Sequence, residues 1–271
     1  MDEGTLPRAA PVLPGAGAPA GTRRDFVPTL ARGLEVLQAF AGAPERMTLS
    51  EVARRVQLPR ATVRRSLLTL AALGFVESEG RQFRVTPRVL VLARSYLSSA
   101  SLPRVAQPYL ERLSEELGES CSVSVLHGED VVYVGRSSRK RLASLHREVG
   151  THLPAYCTSM GRVLLAALPE PALDAWFDRA RLIGLTPFTV YDPGALRARL
   201  VEVRFQGWSL VEQELEMDLL GLAVPLRNTQ GHVVAAMNVS TQRSRMGAEA
   251  MTARFLPALQ RVASEMRGLL G

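Results

Sequence analysis

The feature that most constrains this chain is the order of short elements between residues 48 and 86: a helix, a three-residue turn, a second helix and a hairpin. Thr48 or Ser50 is placed to cap a helix from Leu49 to Val56, and Glu51, three residues after Thr48, completes a capping box. Gln57-Leu58-Pro59 then makes the turn, and Pro59 suits the first position of the next helix. That helix runs to about Leu73 with Val63, Leu67, Leu70 and Ala71 on its apolar face, and Gly74 ends it. Phe75–Ser78 and Gln82–Val85 read as short strands around Glu79-Gly80-Arg81. An earlier helix from Thr29 to Phe40 places Leu30, Leu34, Leu37 and Ala41 on one face, and Ala41–Pro44 breaks it.

Charge sharpens this pattern. The chain of 271 residues has a formal net charge of +7, and Lys140 is its only lysine. A basic balance suits a polyanion, although an arginine bias also follows from genome composition alone. Arg54, Arg55, Arg60, Arg64 and Arg65 are not interrupted by any acidic residue. A helix-turn-helix lays its second helix in the major groove with donors outward. Arg60, Thr62, Arg64, Arg65 and Thr69 lie off the apolar stripe, and Arg81 and Arg84 fall on the hairpin wing. Arginine grips phosphate and also reaches guanine bidentately. A solvated charged helix explains the arginines but not the turn, the hairpin and the local lack of acids together. The expectation is double-stranded DNA.

The rest of the chain changes texture. Residues 1–24, rich in Ala, Gly and Pro, read as a disordered tail. Residues 25–87 form the winged helix-turn-helix domain, 88–103 a linker helix, and 104–271 a larger domain. Within the last, strands are expected at Cys121–Leu126, Val131–Val134, Leu142–Leu145, Ser209–Glu214, Leu222–Leu226 and Val233–Ser240. Helices are expected at Pro103–Leu117, Ser159–Leu168, Pro171–Asp178, Pro193–Phe205 and Ala248–Leu270. The fold class is α+β with a mainly antiparallel sheet.

Several functions find little support. No apolar run approaches the roughly 18–20 residues of a membrane span, and no signal peptide heads the chain, so a cytoplasmic location is expected. Cys121 and Cys157 form no C-x-x-C, and the four histidines form no i, i+4 pair, so no cofactor and no metal site is expected. Cys157 lacks a nucleophile motif, and no catalytic residue is assigned. Glu212, Glu214 and Glu216 alternate and are expected to share one strand face. Arg139, Arg141, His146 and Arg147 flank the third strand, where a solvated basic loop is favoured over a counter-charge for a ligand.

Taken in order, "RGLEVLQAF", "TLSEVARRVQLPRATVRRSLLTLAALGFVE", "VGTHLPAYCTSMGRVLLAALP", "GWSLVEQELE" and "AVPLRNTQGHVVAAMNVST" resemble the IclR family of bacterial regulators over about residues 26–268. "PAYCTSMGRVLLA" and "AAMNVST" are most similar to the PcaR, PcaU and PobR-type subgroup, which controls the protocatechuate, 4-hydroxybenzoate and β-ketoadipate routes. The resemblance implies a GAF-like effector-binding domain, a homodimer or homotetramer on a palindromic operator, and a small carboxylate effector. It implies an effector pocket lined by Thr158, Ser159, Met160, Gly161, Glu212, Glu214, Asn238 and Ser240. One departure stands out. Where the family reads Gly-Leu-Arg-Ser or Gly-Leu-Arg-Cys, this chain reads Asp218-Leu219-Leu220-Gly221. A regulator of a different carboxylate pathway, a small-carboxylate enzyme with an accessory domain and a non-regulating nucleoid protein remain as alternatives.

Overall fold

The computed structural model describes residues 26–92, 101–137 and 148–270. They form two compact units, one within residues 1–96 and one within 97–271. The tail 1–24, the strand expected at Leu142–Leu145, the basic residues 139–147 around it and residues 93–100 of the expected linker helix lie outside the described residues.

The first unit contains α1 (Pro28–Gln38), β1 (Met47–Thr48), α2 (Leu49–Val56), α3 (Arg60–Ala72), β2 (Val76–Glu79) and β3 (Gln82–Val85). A 3-10 turn at Pro87–Val89 follows. The capping box forms as expected: Thr48 accepts from the Glu51 amide, while the Glu51 carboxylate accepts from the Thr48 amide at 2.7 Å. Gln57 ends α2 in the left-handed region at φ 55°, which turns the chain sharply toward α3. Pro59 caps α3 rather than opening it. Gly74 follows α3 with φ 75°. Val36, Ala39, Met47, Val52, Ala53, Val63, Leu67 and Val76 close the core.

Two features differ from expectation. The strand β1 pairs antiparallel with β3, Met47 opposite Phe83, so the wing is three-stranded in the order β1-β3-β2. The buried face of α1 is also rotated. Val36 and Ala39 enter the core and Leu37 and Phe40 pack beside it, while Leu30 and Leu34 are exposed. The stripe on α1 offers two overlapping faces, and packing against the core selects the one carrying Val36.

The second unit is built on a six-stranded antiparallel sheet in the order β6-β5-β4-β9-β8-β7. Its strands are β4 (Ser120–His127), β5 (Asp130–Ser137), β6 (His152–Pro154), β7 (Ser209–Glu212), β8 (Leu219–Arg227) and β9 (Val233–Gln242). Helices α4 (Ser101–Leu117) and α8 (Ala248–Met266) cover one face, where Leu220, Leu222, Val224, Met237 and Val239 meet Leu110, Leu113, Phe255 and Leu259. Helices α5 (Ser159–Ala166), α6 (Glu170–Phe177) and α7 (Pro193–Gln206) cover the other, where Ala223 and Ala236 meet Val163, Leu165, Trp176 and Leu200. Alternate residues of β8 and β9 therefore serve opposite cores, as the period of two requires. The fold is α+β. No described helix is long and apolar enough to cross a membrane.

Candidate functional site

In the first unit the outward side of α3 is the basic face. Arg60, Arg64 and Arg65 are exposed, as is Arg81 next to Gly80 at the wing tip. Among the described residues, no hydrogen bond or ion pair is found on these four guanidinium groups. Arg60 occupies the first position of α3, whose first turn carries no acidic residue. Cations at a helix N-terminus oppose the macrodipole and the unpaired amides there. A phosphate placed at that end relieves both conflicts. Thr69 is exposed, but its hydroxyl donates to the Arg65 carbonyl at 3.0 Å; Thr62 is half-buried. Arg84 differs from Arg81. It pairs with Glu77 and, at 3.4 Å, with Glu45, so its charge is already balanced. Hydrogen bonds to these glutamates raise its pKa further. Arg54, absent from the expected contacts, is exposed on the last turn of α2, and Arg55 beside it is tied to the Ala41 carbonyl at 2.8 Å.

In the second unit a small, partly open cavity lies between the start of α5 and the sheet. Its floor is Asn238 and Ser240 of β9, Gly221 of β8 and Val211 of β7; its roof is Cys157, Thr158, Ser159 and Met160; Tyr133, Glu214, Leu215 and Leu219 complete it. The register explains the floor. Gly221 sits between Val211 and Ser240, and Ala223 between Ser209 and Asn238, so small side chains form a row across three strands. Thr158 caps α5, accepting from the Gly161 amide at 3.1 Å. The next amides of α5 open the helix with no acidic side chain in the first turn. Asn238 is 5% exposed, and its Oδ1 has no hydrogen-bond partner. The volume is about 30 Å³. That holds a water or two and is far below the roughly 300 Å³ of a small ligand pocket.

Of the expected effector contacts, the structure brings Thr158, Ser159, Met160, Glu214, Asn238 and Ser240 to this cavity. It does not bring Gly161 or Glu212 there. Gly161 is held against the preceding loop: a Cβ on it would lie 2.0 Å from the Ala155 carbonyl oxygen, so this position serves close backbone packing. Glu212 pairs with Arg243 and borders an adjoining open hollow of about 490 Å³, lined also by Arg199, Glu202 and Ser209, with Glu214 shared between the two. The expected shared face of Glu212, Glu214 and Glu216 is also corrected. β7 ends at Glu212, and Gln213 and Asp218 take left-handed φ of 56° and 62°, which breaks the alternation. Tyr133, Val211, Leu215 and Leu219 line the cavity without any local signal in the sequence.

Behind the cavity lies a buried ion pair. Arg162 donates from its terminal nitrogen to Glu214 Oε2 at 2.6 Å and from Nε to the Tyr156 carbonyl at 3.0 Å. The same carboxylate oxygen accepts from the Val190 amide at 3.0 Å. Burial lowers the Arg162 pKa, and the Glu214 charge opposes that shift. Cys157 is buried, and desolvation with the nearby Glu214 charge pushes its thiol up to about 12. A thiol so placed is a packing group, not a nucleophile. Among the described residues, no group of three His, Cys, Asp or Glu side chains is placed to hold a metal ion.

A winged helix-turn-helix with a free basic helix, joined in one chain to an α+β unit with a lined cavity, defines a one-chain transcriptional regulator. Comparison with known proteins agrees. The IclR helix-turn-helix domain matches residues 29–80, and the bacterial transcriptional regulator IclR C-terminal domain matches residues 94–267. The chain belongs to the IclR family. It is 46% identical over 236 residues to the Pca regulon regulatory protein of Pseudomonas putida, covering 87% of this chain and 81% of that one. It is 36% identical over 251 residues to the p-hydroxybenzoate hydroxylase transcriptional activator of Acinetobacter baylyi, covering 91% and 93%. An IclR homolog from Microbacterium hydrocarbonoxydans, solved in complex with 4-hydroxybenzoate, superposes with a TM-score of 0.74 at 28% identity, covering 89% of this chain and 98% of that chain.

Proposed function

We infer that this regulator binds operator DNA through α3 and the wing, and that a small carboxylate from aromatic-acid catabolism controls this binding. The effector is of the protocatechuate, 4-hydroxybenzoate or β-ketoadipate type. The observation that carries the reading is the cavity under the start of α5. Free helix amides there suit a carboxylate, and Asn238 presents an unpartnered polar atom within the same walls. Two similar proteins are named for the pca and p-hydroxybenzoate systems, and a third, the Microbacterium hydrocarbonoxydans homolog, is complexed with 4-hydroxybenzoate.

Arg60, Arg64, Arg65 and Arg81 supply the DNA contacts, with Thr62 and Thr69 at the edge of the same face. The chain acts as a homodimer or homotetramer, so that two recognition helices meet one palindrome, with residues 88–103 linking the two domains. At about 30 Å³ the cavity is smaller than any such acid, so in this reading the start of α5 parts from the sheet floor on binding. The effector then favours the open state by its differential affinity, and the operator reads the resulting shift in population.

The test is a gel-shift titration with DNA from the promoter region of the chain's own gene, with and without protocatechuate, 4-hydroxybenzoate and 3-oxoadipate. A specific complex whose midpoint changes with one of the acids is the expected result. A complex indifferent to all three, alongside no thermal stabilisation by any of them, removes the effector half of the proposal.

A further inference from the structure

The open hollow of about 490 Å³ is bordered by Ser209 from one face of β7 and by Leu210 and Glu212 from the other, so it lies along the edge of that strand. β7 is the outermost strand of the sheet, and on that side its backbone has no strand partner among the described residues. Helix α7 contributes Arg199, Glu202 and Val203, and α5 contributes Arg162. The segment before α7 is pinned to the turn after β7: Thr186 Oγ1 donates to the Gln213 carbonyl and Thr189 Oγ1 to the Glu214 carbonyl, each at 2.6 Å. Phe188, between those two threonines, lines the hollow and is 51% exposed. Ser209 is 1% exposed, and among the described residues its hydroxyl has no hydrogen-bond partner.

Charge decides what this hollow can take. Each charged lining residue already faces an opposite charge: Arg162 meets Glu214 at 2.6 Å, Arg199 meets Glu202 at 3.0 Å, and Glu212 pairs with Arg243. A charged ligand must displace one of these partners, and at Arg162 that strands a buried charge. The pairs leave valences unused, since a carboxylate accepts at several sites and a guanidinium donates from several N–H groups. Spare donors and acceptors therefore stand side by side, and a hydroxyl, which both donates and accepts, matches either. Phe188, Val190 and Leu210 add apolar surface for a carbon skeleton. The volume falls within the range of small-molecule sites, about 300–1,000 Å³. We propose that the hollow is a second ligand site, beside the effector cavity, for a neutral polyol of the size of one sugar ring. A polyol held by both Arg162 of α5 and the β7 edge ties that helix to the sheet. The effector reading has α5 part from the sheet, so polyol and acid oppose each other, each weakening the other by the same factor. This antagonism, unlike the site itself, rests on the effector reading given above.

The experiment is calorimetry on the full chain with D-glucose, D-xylose and myo-inositol, and with gluconate and glucosamine as charged counterparts of similar size, for wild type, F188A and S240A. Wild type is expected to bind at least one neutral probe, and to bind gluconate and glucosamine about tenfold or more weakly, since each brings an unmatched charge. F188A truncates a half-exposed side chain outside the core and should lose about tenfold or more in polyol affinity, the worth of one apolar contact surface. S240A, in the effector cavity, should bind the polyol as wild type does. Titration of 4-hydroxybenzoate, protocatechuate and 3-oxoadipate in saturating polyol should give weaker binding than without it. No binding of any neutral probe, or polyol binding that F188A leaves unchanged or that S240A abolishes, overturns the site. A charged counterpart bound as tightly as the neutral probe overturns the chemistry assigned to it. Polyol binding with unchanged acid affinity overturns the antagonism alone. A chain that binds the polyol but none of the acids overturns the effector reading and leaves this site standing.

Discussion

Arg162 and Glu214, 52 residues apart in sequence, meet at 2.6 Å with side chains only 4% and 8% exposed. The pair joins α5 to the turn after β7, and through the Val190 and Thr189 contacts it also holds the segment before α7. Removing one member strands a buried charge, which costs about 3–5 kcal/mol. E214A is therefore expected to lower the urea midpoint sharply. R162M/E214L, which replaces both charges by apolar groups, is expected to retain much more stability than either single change. Equal losses in the single and double variants would show that the pair is not the source.

The basic helix gives a second expectation. R60A and R65A should each weaken operator binding by about 1–3 kcal/mol and lower the slope of log affinity against log salt by about 1 where a phosphate contact is lost. R81A should weaken it more than R84A, because Arg84 is already balanced by Glu77 and Glu45. Fluorescence anisotropy across a salt series separates these cases. An R84A effect larger than that of R81A would mean the wing ion pairs open on DNA.

Floor residues of the cavity give a third. S240A and N238A should blunt the effector response, and a thermal-shift titration reads it directly. A ligand at a hundred times its Kd adds about 2.7 kcal/mol to native stability, and the variants should lose most of that increment. A normal increment in S240A would move the effector away from β9.

Gly161 gives a fourth, of the opposite kind. Its contact with Ala155 is backbone to helix, so no side chain can yield. G161A is expected to destabilise by about 3 kcal/mol or more through overpacking and to give little soluble protein. A G161A variant with wild-type melting would show that the loop at Ala155 yields readily.

The thiols set a pH expectation. Desolvation pushes Cys121 and Cys157 up to about 12, and burial does the same to Tyr156. Each raised acid holds its proton in the folded chain after the unfolded chain has lost it. Between the ordinary thiol value of 9.0 and about 12 the folded state binds more protons, so stability falls as pH rises across that window. Urea midpoints at about pH 8 and about pH 10 should show the fall, and thiol-specific reagents should label the native chain slowly at neutral pH. Rapid labelling at neutral pH would contradict the burial of both residues.

What was legible in the sequence was what local rules specify. The capping box at Thr48 and Glu51, the end of α3 at Gly74 and the strand at Leu222–Leu226 each depend on residues close in sequence. β1 was not legible, because two residues become a strand only by pairing with β3 some 35 positions away. The face of α1 is not legible either, because its stripe fits two rotations and only the partner helices choose. In the cavity, the hydroxyl and amide residues were expected from the family resemblance, whereas Tyr133, Val211, Leu215 and Leu219 are assembled by strand order alone. Glu212 is excluded because Val211, its neighbour on β7, faces the cavity and the strand period turns Glu212 away, while the left-handed Gln213, which no alternation pattern announces, breaks the pattern before Glu214.

If the effector enters between α5 and the sheet as proposed, a hollow of only about 30 Å³ sets a threshold for it. Each true ligand must spend part of its intrinsic affinity on parting α5 from the sheet, so the working concentration lies above the intrinsic dissociation constant by the reciprocal of the open fraction. Substitutions that loosen α5 without touching the ligand would then shift the concentration at which the regulator answers while leaving its choice of ligand intact.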